Sequence, residues 1–349
     1  MIVIYVLLAA ILLFFILVFV IGFLLSGSSY KGPKSDHFNG KKFINPNGLQ
    51  ANGFASAMKY MRERKPEPYR FNYETFVRTE AIPERLPKDD IKITFVNHST
   101  FLIQYAGINI LTDPIWSFRC SPFQFAGPNR MRPPGVKFED LPPIDLVLLS
   151  HNQYDHFDTN TNKDLIKRDK PHFVVPLGMK KSVNKLGAKQ VDQIDWHEKL
   201  TFKNISITSA PANHFTSRGL FDRDTTLWCG YILQFGNHKL YFVGDTGYGP
   251  NFKEVGEQYG PMDISLIPIG AYKPEWFMGP IHISPKQAID VHHDIKSKQS
   301  IAMHFGTFPL ADDGQGTAEK ELIKAMEASN LDPELFIIPD EGFSYDFKV

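Results

Sequence analysis

The chain has 349 residues, 43% of them hydrophobic, with 38 basic and 38 acidic side chains and a formal net charge of zero. That length suits one large sandwich-type domain with appendages, because such a domain absorbs roughly 200–250 residues. A neutral balance lacks the basic footprint that a nucleic-acid partner requires. The two cysteines, Cys120 and Cys229, are too few for a disulfide framework.

Residues Ile2 to Leu25 contain no charged side chain. About 20 apolar residues cross a bilayer, so the run predicts a transmembrane helix. A cleaved signal peptide is the competing reading. It fits less well, because no lysine or arginine precedes the run and Leu25-Ser26-Gly27-Ser28 is a poor cleavage site. Lys31, Lys34, Lys41 and Lys42 follow the span with only Asp36 among them. By the positive-inside rule the body of the protein is then cytoplasmic. From 28 to about 90 the chain is rich in Gly, Pro, Asn and charge, as expected of a linker and an irregular arm, with one short helix over Met58–Arg64.

From Ile91 the texture changes. Ile91–Val96 alternates as a half-buried strand does. Phe101–Tyr105 and Ile108–Thr112 flank Ala106-Gly107 and predict a hairpin. Asp145–Ser150 reads as a short buried strand and Thr161–Lys170 as a polar helix. Further strands are predicted at His172–Pro176, Gln193–Trp196, Ile205–Ser209, Tyr231–Phe235, Lys239–Val243, Ile264–Ile267 and Ser300–Met303. Helices are predicted over Pro285–Ile295, with Ser284 as N-cap before a proline in the first turn, and over Ala318–Ser329. Strands in groups with helices between them suit two sheets packed face to face, helices outside.

The chemistry-bearing residues follow strand ends. Ser150-His151-Asn152-Gln153-Tyr154-Asp155-His156 places two imidazoles and a carboxylate in one loop after the Asp145–Ser150 strand. His214, Asp245 and His304 each follow another apolar strand. An ionisable group at the end of a buried strand is costly unless paired or bound to metal. One such case reads as a satisfied core histidine; four in one chain are better explained by a shared site. Imidazole and carboxylate donors suit zinc, with iron or manganese also compatible. Cys120 and Cys229 have no close spacing to each other and read as buried thiols, a single disulfide being the alternative.

These segments, with Ser35–Gly40, Thr112–Trp116, Gly244–Tyr248, Pro268–Tyr272, Trp276–Met278 and His304–Phe308, resemble the metallo-β-lactamase superfamily. Within it they are similar to the N-acyl phosphatidylethanolamine-hydrolysing phospholipases D and their bacterial relatives. The resemblance implies an α/β fold, the αββα four-layer sandwich, over residues 91–349; the apolar run and the irregular segment already described make an anchor at 2–26 and an arm at 27–90. It implies a phosphodiesterase that hydrolyses N-acyl phosphatidylethanolamine or a related phospholipid through a metal-bound hydroxide. It also implies two zinc sites: His151, position 153 and His214 at one, Asp155, His156 and His304 at the other, and Asp245 bridging. The family has histidine where this chain has Gln153. An amide carbonyl is the weaker zinc donor, so the first site is expected to be weaker or empty. Asp155 is expected to act in catalysis as well as ligation. His282 is expected at the substrate phosphate, with Tyr248 and Tyr272 lining the pocket. The implied partners are a phospholipid membrane and a second copy of the chain. His292 and His293 lie on a helix and are read as surface; His37, His98, His172, His197 and His238 are read as structural, with His98 placed behind the site. Two other readings stand beside this one: a lactonase or phosphodiesterase for a soluble substrate, and a metal-poor scaffold motivated by Gln153.

Overall fold

In the computed structural model, which describes residues 1–69, 81–87 and 90–348, the alternating and apolar runs segregate into two sheets. β1 (Asp90–Asn97), β2 (Thr100–Tyr105), β3 (Ile108–Thr112), β4 (Leu146–Leu148), β5 (His172–Pro176) and β6 (Val191–Ile194) build the first. The second holds β7 (Lys199–Phe202), β8 (Ile205–Ala210), β9 (Gly230–Phe235), β10 (His238–Phe242), β11 (Met262–Pro268), β12 (Ser297–Met303) and β13 (Phe336–Ile337). The chain then returns as β14 (Ser344–Lys348) to pair antiparallel with β1 at the edge of the first sheet. Both sheets are mixed. β1–β3 is an antiparallel meander and β3–β6 run parallel; β7–β10 are antiparallel and β10–β13 parallel.

The eight helices of the described residues are α1 (Ile2–Leu25), α2 (Phe54–Glu63), α3 (Thr159–Arg168), α4 (Lys180–Lys185), α5 (Asn251–Gln258), α6 (Glu275–Met278), α7 (Pro285–Asp294) and α8 (Thr317–Ser329). The α7 start follows from sequence: Ser284 accepts from the Gln287 amide and Gln287 returns the bond, a capping box ahead of Pro285. The inner faces of the two sheets share one apolar core, including Ile93, Ile103, Ile110, Leu148, Ile207, Leu233, Phe242 and Leu266. Leu102, Leu111, Val147, Phe173 and Leu165 of α3 form a second cluster on the outer face of the first sheet. Phe38 and Phe43 of the arm are 1% and 2% exposed and belong to the main core, so this part of the arm is packed structure. A fully buried ring of this kind contributes roughly 1.5–3 kcal/mol.

His292 does not lie on the surface: it is 4% exposed, and its Nδ1 lies 2.8 Å from Ser300 Oγ of β12. Ala288, Ile289 and Ile295 form the inward stripe of α7, and helical spacing puts His292 on that same stripe. The cysteines are both free and buried.

The 24 residues of α1 give a rod of about 36 Å, longer than the ~30 Å hydrocarbon layer. It is a candidate membrane span with no part of its most apolar window buried by protein. Its last turns are held by a loop of the domain. Leu220 N–H donates to Gly22 O at 3.3 Å and Phe221 N–H to Ser26 Oγ at 3.2 Å. The Phe221 ring centroid lies 4.9 Å from that of Phe19. A Cβ on Gly22 would fall 2.4 Å from Leu220, so glycine is what permits this approach.

Candidate metal centre

β3, β4, β8, β12 and the β10 turn all deliver their ends to one edge of the sandwich, and there the strand-end residues meet. His151, Asp155, His156, His214, Asp245 and His304 are brought together, all of them buried. Asp245 Oδ2 is the hub. His304 Nε2 lies 2.9 Å from it, His156 Nε2 3.1 Å, His214 Nε2 3.9 Å and His282 Nδ1 4.0 Å. Asp155 Oδ2 lies 3.3 Å from His156 Nε2 and 3.4 Å from His304 Nε2. Four overlapping groups have donor atoms within 4.8 Å of one another, and Asp245 belongs to two of them, with His151 and His214 and with His282 and His304.

Nδ1 hydrogen bonds turn three of these imidazoles toward the hub. His156 Nδ1–H donates to Asp113 Oδ2 at 2.7 Å. His151 Nδ1–H donates to Ser150 Oγ at 2.9 Å, and Ser150 Oγ–H donates to Asp113 Oδ2 at 2.5 Å. His214 Nδ1–H donates to Ile281 O at 2.9 Å. With Nδ1 protonated, each Nε2 carries its lone pair inward, as in carboxylate–histidine–metal relays. The Nε2 atoms of His151, His156, His214 and His304, with both oxygens of Asp245, are buried without a hydrogen-bond partner of acceptable geometry among the described residues. Such orphaned atoms are rare in folded proteins. A cation with nitrogen and oxygen ligands would satisfy them together, so the donor set fits a metal.

The electrostatics agree. Burial would raise Asp245 and Asp155, but His156 and its neighbours outweigh it and hold both carboxylates well below their usual range. Burial pushes His214 down to about 4 and His98 to about 3. Burial, with His156 and His214 alongside, likewise keeps His151 neutral. For His304 burial is overcome by Asp245 and Asp155, and the group is raised to about 9. His156 is raised for the same reason. Buried carboxylates here call for positive charge, the demand a divalent ion meets.

Two further residues join this centre: Asp113, which carried no assigned role in the sequence, and His98, expected only as a support from behind. Asp113 follows buried β3, has φ 34° and accepts from Ser150 N–H at 2.7 Å. Its signal was the strand-end rule already used for Asp245. His98, at φ 48°, sets Nε2 3.1 Å from Asp155 Oδ2 and falls in one metal-capable group with Asp155, His156 and His304. His304 is also left-handed, φ 57°, and its N–H donates to His98 O at 2.7 Å. Non-glycine residues in this region cost of order 1–3 kcal/mol each and concentrate at functional sites.

His282 is buried within the cluster. Gln153 is half-buried, its amide donating to Phe215 O at 3.3 Å. The two tyrosines are engaged elsewhere. Tyr248 O–H donates to Asp294 at 2.6 Å, and Tyr272 is a core residue whose hydroxyl is influenced mainly by burial and then by Glu321.

A family model described as the beta-lactamase superfamily domain matches residues 108–305. The chain belongs to the metallo-β-lactamase superfamily. It is 39% identical over 269 residues to N-acyl-phosphatidylethanolamine-hydrolyzing phospholipase D 1 of Caenorhabditis elegans, covering 71% of this chain and 74% of that one. It is 33% identical over 225 residues to the mitochondrial N-acyl-phosphatidylethanolamine-hydrolyzing phospholipase D of Saccharomyces cerevisiae, covering 62% of this chain but only 48% of the yeast protein. Among solved structures, a metallo hydrolase from the archaeon Ignicoccus hospitalis superposes with a TM-score of 0.57 at 21% identity, over 74% of this chain and 99% of that one. That likeness is one of fold.

Proposed function

We propose that the chain is a metal-dependent hydrolase of phospholipase D type, acting on N-acyl phosphatidylethanolamine or a related phospholipid at a membrane to which α1 anchors it. The observation that carries this reading is the set of buried, hydrogen-bond-orphaned Nε2 and carboxylate atoms around Asp245. In this reading His151, Gln153 and His214 would hold one ion and Asp155, His156 and His304 a second, with Asp245 available to both. A bound divalent ion supplies Lewis acidity: it lowers the pKa of a water toward about 7 and polarises a phosphoryl oxygen. Asp155 accepts the proton released when water attacks phosphorus in line. His282, unpartnered at Nδ1 and 4.0 Å from Asp245, donates a hydrogen bond to the substrate phosphate. The phosphorus–oxygen bond to the N-acylethanolamine breaks, the departing oxygen takes up the proton held by Asp155, and phosphatidic acid remains.

Lipid as the substrate is supported by continuity between the site and the anchor. The chain leaves His214 as a loop whose tip, Leu220 and Phe221, is 58% and 49% exposed and lies against Gly22, Phe19 and Phe23 of α1. Phe19 is six residues, about 9 Å, inside the end of the span at Leu25, so the tip reaches the depth of interfacial apolar groups. Arg218 in the same loop stacks 3.9 Å over Tyr154 and donates to Asn152 O and Phe157 O, bracing the His151–His156 segment. The lysines after α1 support a cytoplasmic orientation of this assembly. The test is hydrolysis by the full chain in mixed micelles, with and without chelator. Chelator-sensitive release of N-acylethanolamine is expected. Turnover confined to lactones or soluble diesters would replace the lipid reading, and no turnover with a metal-loaded chain would favour the scaffold.

A further inference from the structure

Where α1 ends, the chain seats on α4. Gly27 N–H donates to Asp222 at 2.7 Å, Ser28 N–H to Ser182 Oγ at 3.1 Å and Ser28 Oγ–H to Gly178 O at 2.6 Å. Ser28 is buried, so α4 is fixed beside the third residue after the span. Next to this junction is a cavity of about 710 Å³ whose lining includes Tyr30, Lys31, Lys180, Lys181, Asn184 and Lys185. Its four lysines are exposed, and none is in an ion pair among the described residues. Asp195 and Glu198 act on the Tyr30 hydroxyl, and Asp222 is occupied by Gly27 N–H. In a chain with no net charge, four unpaired lysines around one cavity are a local concentration of positive charge.

We propose that this cavity binds the phosphate of an anionic phospholipid headgroup, holding the domain on the bilayer beside its anchor. Three observations converge on this occupant. The lysines offer ammonium donors to phosphate oxygens, the cavity has room for a headgroup, and the Ser28 contacts place it at the surface where α1 leaves the apolar layer. Basic side chains beside a membrane span are attracted to anionic lipid within a Debye length. Lys34, Lys41 and Lys42 extend the charge along the arm. The inference rests on α1 being a membrane span and does not require hydrolysis.

The test is site-resolved amine labelling of the full chain in maltoside micelles, read by mass spectrometry. The probes are dioctanoyl phosphatidylglycerol, dioctanoyl phosphatidylcholine and inorganic phosphate. Phosphatidylglycerol is expected to slow labelling of Lys180, Lys181 and Lys185 about fivefold or more, with exposed Lys253 and Lys324 unchanged. The variant K180Q/K181Q/K185Q should remove the protection from Lys31. No protection, equal protection by phosphatidylcholine, or equal protection of Lys253 would overturn the proposal. Protection by inorganic phosphate alone would overturn the lipid assignment in favour of a soluble anion. Because occupancy and not turnover is measured, a chain that hydrolyses nothing can still pass.

Discussion

Asp113→Asn isolates the hydrogen bonding behind the candidate metal centre. The substitution keeps the shape of a fully buried side chain. One amide oxygen still accepts from Ser150 N–H, now 2.7 Å from Oδ1. The amide nitrogen replaces Oδ2, which accepts from Ser150 Oγ–H and from His156 Nδ1–H at 2.5 and 2.7 Å. Ser150 can rotate its hydroxyl and accept instead. His156 cannot, because donor then faces donor unless its proton moves from Nδ1 to Nε2, the atom turned to Asp245. Either outcome weakens His156 as a ligand. Removing such a supporting carboxylate costs about 10–100-fold in metal affinity or activity, or roughly 1.4–2.7 kcal/mol. Competition titration of zinc against a chromophoric chelator reads the loss, with thermal melts of the chelated protein as the control for folding. An Asp113→Asn variant that binds metal as tightly as the native chain would refute the relay.

Four further outcomes follow from the same geometry. Gln153→His places a stronger donor beside His151 and His214, so metal content and affinity should rise; if neither metal content nor rate changes, Gln153 is not a weakened ligand. Replacing both Leu220 and Phe221 by serine removes about 1 kcal/mol of apolar contact each, so activity on vesicles should fall by up to ~30-fold while a short-chain soluble diester is affected far less; equal loss on both would argue against membrane contact. His292, lowered to about 4 by burial and by His293, titrates below its unfolded value. Its contribution is therefore full above about pH 6.5 and is lost as pH falls toward 4, so His292→Gln should flatten the acid limb of the stability curve, by on the order of 2 kcal/mol; parallel curves would contradict the burial argument. Chelation should lower Tm, and added metal should restore it in proportion to the logarithm of its concentration.

Much of the fold was legible because period and burial coincide in it. The β1–β3 meander alternates or runs apolar without interruption, and its predicted limits lie within a residue of the observed ones. β7 was missed because Lys-Leu-Thr-Phe is short and lies at a sheet edge, half in solvent. β14 was missed because Ser-Tyr-Asp-Phe-Lys becomes a strand only by returning to β1, a pairing across some 250 residues that local pattern cannot carry. α4 and α5 are short and polar, and their burial comes from neighbours remote in sequence. In the centre, strand-end ionisable groups pointed to the six residues that converge. His98 was legible only as a support behind the site, because its contact with Asp155 depends on a left-handed turn that aims the ring, and no spacing rule encodes that. Asp113 was missed for a different reason: its carboxylate serves other side chains, and a motif of direct ligands does not include it.

The most direct test is the metal content of the purified full chain, measured by plasma mass spectrometry beside Asp245→Ala. The native protein should retain about one to two equivalents of zinc, iron or manganese per chain, and the variant, lacking the carboxylate shared by two of the donor groups, should lose most of it. A native chain that is metal-free as isolated and takes up none when titrated would contradict the account.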